Sequence, residues 1–351
     1  MRTLRVAVPV IAVATLAACT STQDPATPSG SAQPADTEVT VVTHDSFAVP
    51  DAVVAQFERD TGIKVTFVAP GDAGAMVNQL ILTKDAPLGD VAYGVDNTFA
   101  SRALDEGVFA DYTSSAPAAV DAAQYAIEGS EALTAVDFSD VCLNYDLAYF
   151  EDNGLAVPQT FDDLLKPEYK SLVSVTNPAT SSPGLAFLLA TIAAKGDGWQ
   201  DYWSALVAND VRVTASWSDT YYTDFSAPNY GGDYPIVLSY ASSPPFEVID
   251  GEPTTAALLD TCFRQVEYVG VLEGAKHPTA AGKVVDWMLS DEFQAALPEN
   301  MYVYPVSSAV EVPADWATYA PLASAPWSVP AADIAANRDQ WIKDWTAVVT
   351  P

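Results

Sequence analysis

Five short polar turns each follow an apolar run of strand type: Asp45-Ser46, Asp72-Ala73-Gly74, Asp96-Asn97, Thr180-Ser181-Ser182 and Trp217-Ser218-Asp219. A sixth cluster, from Tyr240 through Ser242 and Ser243 to Phe246, adds rings and hydroxyls. Taken singly, each reads as a helix cap or a turn. Taken together, they gather carboxylates, hydroxyls and aromatic faces at one end of a chain that alternates strand and helix. That is the composition of a pocket for a cation with an aromatic part. A cation over a ring face gains about 0.5–2 kcal/mol, and a flat heterocycle between rings also buries area. Asp carboxylates accept charge-assisted bonds from ring amino groups. The run Ser181-Ser182-Pro183-Gly184 opens a helix, whose free N–H groups and positive dipole end suit a hydroxyl or phosphate tail.

The elements that must hold these turns are legible in the periodicity. Val41 and Val42 end a strand, and Asp45 and Ser46 are placed to cap the helix that carries Val53, Val54 and Phe57. Thr61-Gly62 stops that helix, and Ile63, Val65 and Phe67 alternate as a second strand. In such βαβ units ligands sit at the carboxyl ends of the strands. Further helices are predicted over 75–85, 99–109 and 160–170 (with Thr160 as cap). Another runs from Ser182 as N-cap through Pro183 to a stop at Gly196. Strands are predicted at 89–96, 134–144, 171–176, 211–215 and 234–240. The last is expected to cross back to the first half of the molecule, which the strand at 134–144 has left. Two crossing strands imply two lobes around one cleft, 39–138 plus 245–305 and 139–244 plus 306–351.

The ends and composition bound the rest. Arg2 and Arg5 precede an apolar run from Val6 to Ala18, followed by Leu16-Ala17-Ala18-Cys19. A basic segment, a short apolar core and small residues make a secretory signal over 1–18, too short to span a bilayer stably. Its ending resembles a bacterial lipoprotein signal, which implies lipid on Cys19 and a place on the outer face of the cytoplasmic membrane. Residues 19–38, rich in Ser, Thr, Pro and Ala, read as a flexible tether. Of 3 cysteines, Cys142 and Cys262 remain as an even pair in an oxidising compartment, where a disulfide is expected and two separate buried thiols are the alternative. With 15 basic against 46 acidic residues and a net charge of −31, nucleic acid is excluded as a partner, since phosphates want Lys and Arg. The acidity mildly favours a cationic ligand. Only 2 His are present, neither beside a nucleophile elbow, so nothing asks for a hydrolase and no enzyme activity is expected. No cofactor is expected.

Several stretches, in the same order and at similar spacing, carry a resemblance to a known family: THDSFA, GDAGAMVNQL, GVDNTF, NPATSSPGL, SWSDTYY, VLSYASSP and DEFQAALPENMYVYPV. From about Val39 onward the chain resembles the thiamine-binding proteins of bacterial ABC importers. The resemblance implies a two-lobed α/β periplasmic-binding fold of type II with crossing hinge strands. It implies a monomeric receptor that delivers thiamine or its phosphates to permease subunits. Carried over by position, it puts Asp45 and Asp72 near the pyrimidine, Ser181 with its helix start at the hydroxyl or phosphate, and Trp217, Tyr240 and Phe246 around the rings. Ser46, Asp96, Ser182, Tyr221, Ser242 and Tyr302 complete the expected set. The sequence departs from the family at His44 and Phe246, where Tyr is frequent, and at Tyr302, where Trp is frequent. The alternative within the same fold is a ferric-ion receptor, since adjacent Tyr221 and Tyr222 with carboxylates form a hard-oxygen set.

Overall fold

The computed structural model describes residues 37–350. The expected signal, Cys19 and the tether up to residue 36 lie outside the described residues. The strands are β1 (Glu38–Val42), β2 (Lys64–Val68), β3 (Val91–Asp96), β4 (Phe109–Ala110), β5 (Thr134–Asp146), β6 (Val173–Thr176), β7 (Arg212–Thr214), β8 (Ile236–Tyr240), β9 (Val248–Ile249), β10 (Glu252–Pro253), β11 (Thr255–Leu272) and β12 (Tyr304–Pro305). The helices are α1 (Asp51–Thr61), α2 (Ala73–Leu82), α3 (Ala100–Asp105), α4 (Ala119–Ala122), α5 (Leu147–Asp152), α6 (Ser182–Lys195), α7 (Trp199–Ala208), α8 (Pro278–Met288), α9 (Asp291–Met301), α10 (Trp316–Tyr319) and α11 (Ala331–Val349).

One sheet of 10 strands runs in the order β2-β1-β3-β11-β5-β8-β6-β7, with β12 on β5 and β4 on β11. Its two flanks are parallel: β1 with β2 and β3, and β6 with β7 and β8. Every residue of β3 and of β6 is buried, as strands covered on both faces require. Between the flanks lie two long antiparallel strands, β5 of 13 residues and β11 of 18.

β11 is the strand that returns to the first flank, pairing with β5 along one side and β3 along the other. The expectation that 234–240 crosses back is therefore corrected. β8 stays with β6, and its turn at Tyr240 faces the middle of the sheet. The second half of β11, from Gln265, reads as a strand, but its first half hid from the periodicity because the pairing is interrupted between Leu258 and Phe263, where polar Asp260 and Thr261 stand. Cys142 and Cys262 form a disulfide at that interruption, across 120 residues of chain.

α6 shows why the apolar runs fold as they do. Pro183 pre-sets its first turn and Gly196 ends it. Every residue from Ser182 to Thr191 is buried, so the helix is apolar all round and must be enclosed. Trp203 of α7 bonds Thr191 through its indole N–H (2.9 Å) and meets Trp345 of α11 edge-on at 5.5 Å. Burying each Leu of such a helix stabilises the fold by about 1.5–3 kcal/mol.

Three local expectations are corrected. Ser181, not Ser182, is the N-cap of α6. Asp45 and Ser46 do not cap α1, which starts at Asp51 after Pro50. The stretch 160–170 forms two tight 3-10 turns, Asp163–Leu165 and Pro167–Tyr169, in place of a helix. The N-cap of the first is Asp162, not Thr160, although the Thr160 hydroxyl accepts from the Asp163 N–H at 3.3 Å; Pro167 lacks the donor that a longer helix needs there.

Candidate functional site

The polar turns converge on one region, where the ends of β1, β3 and β8 meet the inner parts of β5 and β11. A narrow cavity there, with about 20 Å³ of room, is lined by His44, Ser46, Trp217, Tyr222, Tyr240, Glu267 and residues 300–303. None of its lining residues is Lys or Arg. Of the expected residues, Ser46, Trp217, Tyr240 and Tyr302 line it directly.

The aromatic wall is built on Trp217. A single π-helical turn, Asp219–Asp224, follows it; such wide turns re-aim side chains and recur at functional sites. The turn is pinned from below, because buried Asp224 accepts from Ser174 Oγ at 2.7 Å and from Arg212 Nε at 2.9 Å. Tyr221 stacks on Trp217 with ring centres 5.0 Å apart and planes 13° apart. Tyr240 and Tyr302 each stand 6.1 Å from the Trp217 ring. The indole N–H donates to Ser239 Oγ at 3.0 Å, which fixes the ring's tilt. Phe246 packs on Tyr302 with centres 3.7 Å apart. The Ser242 hydroxyl donates to the Tyr302 carbonyl and bonds Ser139 Oγ at 2.6 Å. Tyr302 itself has φ of 59°, a conformation that costs a non-glycine residue energy and clusters at ligand sites.

Tyr221 and Tyr222 diverge. Tyr221 is wholly buried and donates its hydroxyl to Glu247 at 2.9 Å, while Tyr222 is 43% exposed. Burial and the Glu247 charge push the Tyr221 phenol well above its ordinary pKa, which opposes the tyrosinate that Fe(III) wants. Among the described residues no group of three or more His, Cys, Asp or Glu is arranged to hold a metal ion.

The acidic turns take different places. Asp72 is buried as the N-cap of α2; it accepts from the Ala73 N–H at 2.5 Å and from the Trp217 N–H at 2.8 Å. It thereby ties the first flank of the sheet to the aromatic wall. Burial pushes its carboxyl up to about 6, against the pull of those hydrogen bonds, and the Asp45 charge adds to the rise. Asp45 stands exposed at the rim, raised by partial desolvation and by facing Asp219. Asp96 is fully buried, and its oxygens are taken by the Thr98 and Phe99 N–H groups and the Thr98 and Ser182 hydroxyls. Ser181 is buried and its hydroxyl makes no hydrogen bond of ordinary geometry, although it lies near enough to Asp72 to favour that carboxylate's charge. Gly74 lets these turns meet: a Cβ there would stand 2.7 Å from the Thr180 backbone, and Ala75 N–H donates to the Thr180 carbonyl at 3.0 Å.

The cavity floor holds groups that periodicity did not single out. His44 is buried, bonds Ser46 Oγ through Nδ1 at 2.9 Å, and points Nε2 at Glu267 Oε1 from 3.6 Å. Desolvation lowers its pKa to about 4, so the ring is neutral. Gly94, with φ of +93°, makes room for it, since a Cβ there would lie 2.3 Å from the imidazole. Glu267 faces Asp137 directly across the β5–β11 ladder. Tyr93 donates to Asp137 at 2.6 Å, with Glu267 Oε2 at 3.3 Å. The signal for Glu267 was a lone carboxylate inside the apolar strand run VEYVGVL. A larger cavity, about 450 Å³, lies between α1, α8 and residues 115–117; it contains none of the expected residues.

Comparison with known proteins adds the following. A family model for bacterial extracellular solute-binding proteins matches residues 86–328. The chain is 30% identical over 324 residues to the thiamine-binding periplasmic protein of Escherichia coli K12, covering 89% of this chain and 93% of that one. A solved periplasmic thiamin binding protein superposes with a TM-score of 0.77 at 28% identity, covering 90% of this chain and 96% of the other. Iron-bound HitA from Pseudomonas aeruginosa superposes with a TM-score of 0.69 at 20% identity, covering 88% and 99%, a likeness of fold. No helix of the described residues is long and apolar enough to cross a membrane.

Proposed function

This chain belongs to the bacterial extracellular solute-binding proteins, and we propose that its solute is thiamine or a thiamine phosphate. Its fold is the mixed α/β type II periplasmic-binding fold around one large sheet. In this reading it captures the vitamin outside the cytoplasmic membrane, held there by lipid on Cys19, and passes it to the permease of an ABC importer without catalysing a reaction. The carrying observation is a cavity walled by Trp217, Tyr240 and Tyr302, floored by a carboxyl group and lined by no Lys or Arg. A flat heterocyclic cation gains there from ring faces and from negative potential at once. Asp72 and Asp45 serve the amino-pyrimidine end, and the unpaired Ser181 hydroxyl serves the oxygen-bearing tail. The cavity has about 20 Å³ of room, so entry requires its walls to part. The expected lobes, 39–138 plus 245–305 and 139–244 plus 306–351, would do so by bending along β5 and β11.

Titration calorimetry with thiamine, read in parallel with tryptophan fluorescence, tests this. Saturable heat and quenching of Trp217 are expected. Asp72→Asn is expected to weaken binding by about 1–3 kcal/mol, the range for lost charged hydrogen bonds. Absence of heat with thiamine, together with heat from a metal ion or another vitamin, overturns the reading.

A further inference from the structure

Three carboxyl groups form one row across the middle of the sheet. Glu267 of β11 is the register partner of Asp96 on β3 and of Asp137 on β5. Like charges set directly opposite each other in a ladder repel, and all three groups are buried to 5% exposure or less. Asp96 is satisfied by protein donors, as described above. Asp137 is not, since its Oδ1 meets no donor; Glu267 accepts only from the Tyr93 hydroxyl at 3.3 Å, and beside it the neutral imidazole Nε2 of His44 has no hydrogen-bond partner. An acidic pair in this setting keeps a proton between its members.

We infer that Glu267 is the counter-charge for the cationic part of the ligand, and that binding expels the proton it shares with Asp137. The inference rests on the thiamine reading and names the group that the reading leaves open. Glu267 is the carboxyl that lines the cavity itself, beside His44, Trp217, Tyr240 and Tyr302. A permanent positive charge entering there does for Glu267 what the proton did: it offsets the repulsion from Asp137 and Asp96. The cation binds, the O–H bond of the pair breaks, and the proton passes to solvent, leaving both carboxylates ionised around the guest. Burial and the Asp137 and Asp96 charges raise the Glu267 pKa well above its ordinary value, in agreement with this. The remaining groups facing the pair are the hydroxyl of Tyr93, which stays protonated, the phenol of Tyr240 and the neutral ring of His44. Arg338 acts on Asp96 from the far side. None of these supplies a cation to the pair.

The test is calorimetric titration with thiamine at fixed pH in two buffers of different ionisation heat, PIPES and imidazole, with the probe's own ionisation measured in each. The observed heat is expected to differ between buffers by an amount equal to net proton release. Affinity is expected to rise with pH, by up to about tenfold per unit while the pair is protonated. Glu267→Gln is expected to lose at least about tenfold in affinity, as for a lost charged partner, and to release no proton. Asp137→Asn, which keeps the Glu267 carboxyl, is expected to bind thiamine while releasing fewer protons. It carries the test if Glu267→Gln fails to fold by thermal denaturation. Thiamine heat that is identical in both buffers overturns this inference and leaves the thiamine reading standing. Proton release undiminished in both variants overturns the assignment to this pair. No thiamine heat from wild type sinks both.

Discussion

Two acidic residues of β5 lie three positions apart, face the same neighbouring strand and are solved in opposite ways. Asp140 is paired in register with Arg264, whose Nε lies 2.5 Å from Oδ1 and whose Nη2 lies 3.2 Å from Oδ2. The Ala323 N–H adds a third donor at 2.7 Å. Asp137 is paired in register with Glu267, another acid. A third arrangement stands one strand away, where Asp96 is held by N–H and hydroxyl dipoles. A buried carboxylate needs a cation, a set of dipoles or a proton. The first two are fixed by covalent structure and hold at any ordinary pH. The third can leave. The end of the ladder near Asp140 is thus built to be permanent, and the end near Asp137, which floors the cavity, is built to change state.

The permanent end should show itself as stability. The Cys142–Cys262 bridge closes 120 residues of chain two residues from Asp140. Chain-entropy reasoning gives it about 5 kcal/mol for a loop of that size. Urea unfolding of the Cys142→Ser/Cys262→Ser variant should reveal that loss, and an unchanged midpoint would show that this end of the ladder needs no staple. Next in size is Arg264→Met. It leaves Asp140, fully buried, with only the Ala323 N–H. Breaking a buried pair from one side costs about 3 kcal/mol or more. Arg264 is 30% exposed, so about 2–3 kcal/mol is expected from the same unfolding measurement.

The dipole solution lies between. Ser182→Ala removes the hydroxyl that donates to Asp96 Oδ2 and that accepts from Gln265 Nε2 at 2.8 Å. Two buried groups lose a partner, so about 1–2 kcal/mol of stability should go. The loss should shrink as pH falls and Asp96, already raised by burial, takes up a proton. A loss that is the same at every pH would mean that Asp96 takes up no proton over that range.

Much of this was legible in the sequence. The turns at Asp72, Asp96, Thr180, Trp217 and Tyr240 could be placed because each follows a strand or opens a helix, and period and capping chemistry mark both. Trp217 and Tyr240 were legible for the same reason, whereas Tyr302 came only with the family resemblance; no local signal separates the π-turn that aims Tyr221 inward from an ordinary one. The floor was not. Glu267 sits in an apolar strand, and its meaning comes from what stands opposite in β3 and β5, which is a fact of register between residues 130 and more positions apart. β11 as the return crossing was missed because the interruption at Asp260 and Thr261 breaks its alternation, and the disulfide that accounts for the break is long-range as well. The pairing of acid with acid, against acid with arginine, is invisible until two strands are laid side by side.

The smallest effect on stability, and the one that bears most directly on the contrast, belongs to Asp137→Asn. In wild type the burial of the pair raises the Asp137 carboxyl from its ordinary 3.8 to about 7, with the Tyr93 and Glu267 hydrogen bonds pulling it back. A folded-state pKa above the unfolded one means that the native state holds more protons. Stability is then greatest below the ordinary value and declines as pH rises from about 4 to about 7, the reverse of a salt-bridged carboxylate. Asn cannot ionise and can donate to Glu267, so the variant should lie within about 1 kcal/mol of wild type near pH 4 and lose less stability than wild type on going to pH 7. Arg264→Met leaves the Asp137–Glu267 pair in place, so it should keep the wild-type decline as pH rises. Thermal denaturation of the ligand-free protein at several pH values separates the two. A variant that is much less stable than wild type at neutral pH, by as much as Arg264→Met, would show that the acid pair is as structural as the arginine pair and that nothing at the cavity floor is kept in reserve for a ligand.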